Sequence, residues 1–271
     1  MIPVRKPWLI RLENALCHWH RRLLYQRGNR SHGGGPERVS VILLSYKRPE
    51  NIDKILSCLA LCDFVEEIIL SNNNPDVQLE RYLHVKDPRL RVINQPERRY
   101  ASVRFELSLE ARSPYLIAID DDIFPEPEQL RALFDALRTD PRLVHGFGGQ
   151  IYPDTPPGQY RMLLNRNAAV EALVWIFAYT RAHVDNYFRL LEQMGQANRE
   201  LRWSEDVPLS FAGSGHARTH YVGKIRRCPS SDQPGVASYR EHGFEEHRAA
   251  LVATMRELTG LRLADLPGSL L

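Results

Sequence analysis

Four short apolar runs divide the first half of the chain, and each breaks off at a polar turn. They are "VSVILLS" (39–45), "VEEIILS" (65–71), "RLRVIN" (89–94) and "PYLIAI" (114–119). Runs this short and this apolar suit strands covered on both faces. Helical periodicity fills the gaps between them. Ile52, Ile55, Leu56 and Leu59 mark a helix beginning near Asn51, a second is expected over Val103 to Ala111 and a third over Pro127 to Thr139. This rhythm predicts an α/β fold with a mainly parallel central sheet and helices on both faces. The second half is less regular. "RLVHGFGGQIY" reads as a strand around a Gly-rich bend, while "NAAVEALVWIFAYTRAHV" reads equally as a long strand or a buried helix. Further helices are expected in "HVDNYFRLLEQMG", from "SEDVPLSFAG" onward and in "EEHRAALVATMREL".

The Gly/Pro stretch "RSHGGGPER" is the one clear boundary. It separates residues 1–37, a basic N-terminal helix with its linker, from a single domain over 38–271. In the first part Trp8, Leu9, Leu12, Leu16, Trp19, Leu23 and Leu24 recur at helical spacing among many Arg and His. Such a helix suits an anionic membrane surface or a partner protein. A helix packed on the domain, or an Arg-rich targeting peptide, are the competing readings. No apolar run reaches the ~20 residues of a membrane span. Cys17, Cys58, Cys62 and Cys228 show neither zinc-site nor disulfide spacing. The protein is therefore expected in the cytoplasm, peripheral at the inner face of a membrane. The net charge is only +3, although Arg outnumbers Lys 31 to 5, a bias that fits a GC-rich coding genome. Because the positive charge gathers in the first thirty residues and not across the domain, nucleic acid is not an expected partner.

The stretch "SPYLIAIDDDIFPEPEQL" carries the chemistry. Three adjacent carboxylates at the end of a buried strand repel one another, and a divalent cation would relieve them. Strand alternation along Leu116 to Asp122 puts Asp120 and Asp122 on one face and Asp121 on the other. Ligands of open parallel sheets bind at the carboxyl ends of the strands, where these residues fall. Oxygen ligands of this kind suit Mn²⁺ or Mg²⁺, completed by water and substrate phosphates. The plainer reading is an Asp-rich turn that starts the next helix.

The wider pattern resembles the nucleotide-sugar glycosyltransferases of the GT-A (Rossmann-like) fold, whose Asp-x-Asp signature ends a central strand. Within that fold it looks most like the exostosin-type family 64, with family 2, the inverting transferases, second. "SYKRPENIDKIL" resembles the opening strand end of family 64, "IILSNNNPD" its paired-asparagine loop, "RYASVRFELSLEARSPYLIAIDDDIF" its Arg-rich helix and triple aspartate, and "RWSEDVPLSFAG" its late acidic pair. The Asn72-Asn73-Asn74 loop tilts the reading away from family 2, which usually has an aspartate there.

The resemblance implies a donor site made of Tyr46, Arg48, Asn73, Asn74, Arg104, Asp120, Asp121 and Arg240. Asp122, Asp120 and His242 are the expected metal ligands. Asp206, with Glu205, is the expected catalytic carboxylate, as general base in an inverting enzyme or as a charge on the donor face in a retaining one. Each has an ordinary alternative: a turn tyrosine, a solvated arginine, helix-start acids, an exposed loop histidine. Trp203 is read as an aromatic wall and "CPSSDQPG" as a mobile lid.

The expected function is metal-dependent transfer of a sugar from a nucleotide sugar, a UDP-sugar such as UDP-N-acetylhexosamine or UDP-hexuronic acid, to a glycan or lipid-linked acceptor. Rivals are a nucleotidyltransferase, which would want glycines in "SYKRPENID", and a non-catalytic basic binding module.

Overall fold

The computed structural model describes residues 36–153, 160–202, 204–228 and 238–263, together with Trp8, Leu9, Leu12, Glu13, Ala15, Leu16, Trp19, His20 and Leu23, which are helical. The four apolar runs form β1 (Val39–Ser45), β2 (Val65–Asn72), β3 (Leu90–Asn94) and β4 (Tyr115–Ile119). The order β3-β2-β1-β4 is parallel throughout. β1 shows why the runs lack polar residues. Val41 and Leu43 enter the core on one face, Ile42 and Leu44 on the other.

Helices cover both faces, as expected. α1 (Pro49–Leu59) and α3 (Pro127–Thr139) pack Ile52, Ile55, Leu56, Leu130, Leu133 and Phe134 against one of them. α1 starts two residues before the expected Asn51, because Pro49 has its φ preset for a first helical turn and needs no N–H partner there. The other face carries α2 (Val103–Glu110), α4 (Arg181–Met194), α5 (Asp206–Ser210) and α6 (Phe244–Thr259), through Phe105, Tyr187, Val207, Leu251 and Met255.

Beyond β4 the sheet is mixed, where a mainly parallel one was expected. β9 (Ala172–Thr180) runs antiparallel to both β4 and β6 (His145–Ile151). β7 (Arg161–Leu164) turns back on β6, β10 (Ala217–Thr219) runs parallel to β6, and β8 (Ala168–Val170) is antiparallel to β10. A parallel neighbour needs a long crossover, and the link from β6 to β7 is too short for one. The stretch readable as strand or helix is thus strand over 172–180 and helix from Arg181. Its strand lies between β4 and β6 with both faces covered, which erases the alternation that would have identified it.

β4 stops at Ile119, so Asp120, Asp121 and Asp122 lie in a turn and do not alternate across a strand. β5 (Ile123–Phe124) follows and pairs with β11 (Arg226–Arg227). Trp203 and residues 229–235 of the expected lid fall outside the described residues.

Candidate active site

At the carboxyl ends of β1 and β4 a cleft of about 570 Å³ opens, and Asp120, Asp121, Asp122, Glu205 and Asp206 line it together. Three buried arginines hold them. Arg48, just after β1, places Nη1 at 2.7 Å from Asp121 Oδ1 and Nη2 at 3.7 Å from Asp122 Oδ2. The Tyr46 N–H donates to Asp121 Oδ2 at 3.1 Å, and Asn51 Nδ2 donates to the Asp121 carbonyl at 2.8 Å. Asp121 therefore laces the end of β1 to the turn after β4, and its carboxylate is taken up by protein donors.

Arg104, on α2, reaches Asp120 Oδ1 at 2.7 Å and Glu205 Oε1 at 3.4 Å. Against the opposing effect of burial, Asp120 and Glu205 raise its already high pKa, so it stays charged. Arg248, on α6, forks onto Asp206, with Nη1 at 2.5 Å from Oδ1 and Nη2 at 3.1 Å from Oδ2. Its Nε and Nη2 also donate to Gln150 Oε1, and its Nε to Tyr152 Oη. A bidentate, largely buried pair of this kind fixes orientation as well as charge.

These five carboxylates share the three buried arginines, and Lys47, Arg98, Arg99, Arg202 and Arg227 also line the cleft. Burial still marks two of the acids. Burial, aided by Asp120 and Asp121 and opposed by Arg48 and Arg227, pushes the Asp122 carboxyl up to about 7. Burial likewise pushes Glu205 up to about 7, with Asp206 and Asp120 adding to it and Arg104 opposing. Asp120 is raised too, by burial against the pull of Arg104. Among the described residues no three acidic, His or Cys side chains converge as a ready metal cage. Mg²⁺ and Mn²⁺ do not require one, since one or two carboxylates plus substrate phosphates and water suffice. Asp122 and the second oxygen of Asp120 fit that need.

Tyr46, Arg48, Asn73, Arg104, Asp120, Asp121, Asp122, Glu205 and Asp206 all line the cleft, as the sequence suggested. Three other candidates do not. Asn74 turns its amide to the Tyr46 carbonyl at 3.1 Å. Arg240 and His242 are exposed and lie off the cleft wall, although their neighbours Tyr239 and Glu241 are on it. Arg48 and Arg104 are in place, each paired to an aspartate of the turn. Sequence reasoning missed Arg248, Gln150, Trp175 and Arg227. For Arg248 a signal existed: Leu251, Val252 and Met255 follow at helical spacing, so the arginine sits in the buried stripe of its helix.

The model of the family "Glycosyl transferase family 2" matches residues 40–190, more than half of the chain. The family placed second from sequence motifs is thus the one matched, and the exostosin-type likeness rests on short motifs alone. No curated protein gives a significant match. Among solved structures, GalNAc-T7 with UDP, GalNAc and Mn²⁺ superposes with a TM-score of 0.55 at 10% identity, over 80% of this chain and 48% of that one. The chain thus spans about half the length of that protein, and the likeness shows the fold. Two weaker likenesses carry no argument. They are a mannosyltransferase from Pyrobaculum calidifontis with GDP-Man and Mn²⁺ (TM-score 0.45, 16% identity, 80% and 69% covered) and a CMP:2-keto-3-deoxy-manno-octonic acid synthetase with CTP (0.47, 14%, 70% and 91%).

Proposed function

The chain belongs to glycosyl transferase family 2 and has the GT-A fold, and from that premise we propose that it is a metal-dependent glycosyltransferase acting on a nucleotide sugar. The observation that carries this reading is the turn of three adjacent aspartates at the ligand-binding edge of the sheet, where burial and its two neighbours raise the Asp122 carboxyl and a divalent cation would relieve it. Asp122, with Asp120, would hold Mn²⁺ or Mg²⁺. A cation there supplies charge stabilisation to the departing nucleoside diphosphate. Tyr46 and Asn73, at the ends of β1 and β2, are the nucleobase side of the donor, a UDP-sugar in this reading.

The catalytic carboxylates take different parts. Asp206 has both oxygens held by Arg248, which fixes the orientation of its carboxylate. Glu205 has a raised pKa near working pH, the property that general-base catalysis wants. In this proposal Glu205 accepts the proton of the acceptor hydroxyl as its oxygen attacks the anomeric carbon and the bond to the diphosphate breaks. Asp206 stabilises the positive charge developing on the sugar. One displacement of this kind inverts the anomeric configuration.

The acceptor proposed is a glycan or lipid-linked sugar, reached near a membrane. Trp8 and Trp19 are 60% and 62% exposed, with Leu12 and Leu16 also exposed. An outward apolar stripe on a basic segment supports residues 1–37 as an interfacial anchor distinct from the domain over 38–271. No helix among the described residues is long and apolar enough to cross a membrane. The deciding experiment is a panel of UDP-, GDP- and TDP-sugars with Mn²⁺, read by protection against melting and by release of nucleoside diphosphate. A response to one nucleotide class supports the reading, and silence across the panel would refute it.

A further inference from the structure

Trp175 has φ at +72°, a left-handed conformation in the middle of a strand. For a bulky residue this is a strained backbone, and such strain gathers at ligand sites. The cause is a β-bulge. Opposite Phe147 of β6, where Gly146 pairs with Phe177 and Gly148 with Val174, β9 has two residues, Trp175 and Ile176. Bulges of this type re-aim a side chain, and here the indole faces the cleft. Gly148 makes the room: a Cβ there would lie 3.2 Å from the indole ring.

Two contacts tie this indole to the aspartate turn. The Trp175 carbonyl accepts the Asp120 N–H at 3.0 Å. The Arg227 guanidinium stacks over the indole, its Cζ 4.8 Å from the ring centre. Arg227 belongs to β11, which pairs with β5 directly after the aspartates, and the next N–H, of Cys228, donates to the Asp122 carbonyl at 2.6 Å. A cation thus sits over an aromatic wall beside the carboxylates that would hold a metal. The arginines nominated from sequence for the phosphates, Arg48 and Arg104, are instead bonded to Asp121 and Asp120, and Arg240 lies off the cleft.

We propose that Trp175 and Arg227 form a diphosphate clamp: the bulged indole holds the guanidinium at the edge of the aspartate turn, where it receives phosphoryl oxygens of a nucleoside diphosphate. The clamp rests on the donor reading above. Stacking presets the planar fork that phosphate recognition uses, and the strained backbone is the feature that puts the indole under it.

The test is calorimetric titration of the full chain with inorganic pyrophosphate, UDP, GDP and TDP in Mn²⁺, and with uridine as the phosphate-free control. Arg227→Ala should weaken pyrophosphate and UDP by ~10-fold or more, as loss of charged hydrogen bonds implies, and leave uridine unchanged. Trp175→Gly removes the indole but takes φ +72° without strain. It should still melt cooperatively and weaken pyrophosphate by ~3- to 10-fold, the range of a lost cation–π contact. Arg227→Lys keeps the charge without the fork and should fall between wild type and Arg227→Ala. Wild-type pyrophosphate affinity in Arg227→Ala would overturn the clamp and leave the donor reading standing. If the wild type binds neither pyrophosphate nor any of the three nucleoside diphosphates, the donor reading fails and the clamp with it.

Discussion

Replacing Glu205 by Gln should make the protein more stable and less active at once. Glu205 is 4% exposed, and its carboxyl is pushed from an ordinary 4.5 to about 7, chiefly by burial. A raised carboxyl pKa means that the folded state binds a proton the unfolded state has released. The contribution of Glu205 to stability is then full below pH ~4.5, is lost as pH rises and levels off above ~7, beside a like contribution from Asp122. At about 1.4 kcal/mol per pH unit, the span of roughly 2.5 units corresponds to about 3 kcal/mol of stability lost by pH 8. Gln carries no charge, so Glu205→Gln should flatten this slope and gain up to about 3 kcal/mol at pH 8, less what the lost contact to Arg104 at 3.4 Å contributed. Over the same range transfer should fall ~10²-fold or more, the usual effect of removing a general base, and the acid limb of the pH–rate profile near 7 should vanish. Urea denaturation at pH 5 and pH 8, with transfer assayed on the same preparations, gives both numbers. A variant with wild-type activity would refute the base assignment. A variant whose stability keeps the wild-type pH slope would refute the burial argument beneath it.

Other outcomes follow from the same geometry. Arg248→Met strands Asp206 in a desolvated site and should destabilise by about 3–5 kcal/mol, while Arg248→Met combined with Asp206→Asn should recover part of that loss in a double-mutant cycle by denaturant. Asp122→Asn should abolish Mn²⁺-dependent UDP binding by calorimetry with the melting temperature held or raised, since a buried, strained charge is removed. Trp8→Ser with Trp19→Ser should leave stability and donor hydrolysis intact, because both side chains are exposed, and should reduce sedimentation with anionic vesicles; equal sedimentation would remove the anchor from the proposal.

Much of the scaffold was legible because local physics dominates there. β1 and β4 are apolar on both faces, β2 and β3 are short runs bounded by polar turns, and the helices between them bury one stripe, so period and run length identified them without tertiary help. The Asp120-Asp121-Asp122 turn was conspicuous for a similar reason: three like charges at the end of an apolar run are costly in any fold. Where neighbours decide, the sequence was silent. β9 lost its alternation between two strands, and the sheet turned antiparallel where loops replaced crossovers.

Within the site, types of residue were readable and their pairings were not. "ED" could be read as two candidate acids, but only the approach of α6, some forty residues later, assigns Arg248 to Asp206 and leaves Glu205 with the raised pKa. Arg48 and Arg104 looked like phosphate ligands from their places in the chain; in three dimensions each is also paired to an aspartate within 3 Å, a partner that chain position did not reveal. Trp175 carried no local signal at all, because its conformation comes from a mismatch in register between two strands. Propensity and periodicity act over a few residues and so are written in the sequence. The balance of charge in a desolvated cleft sums over elements from the whole chain, and only their packing decides it.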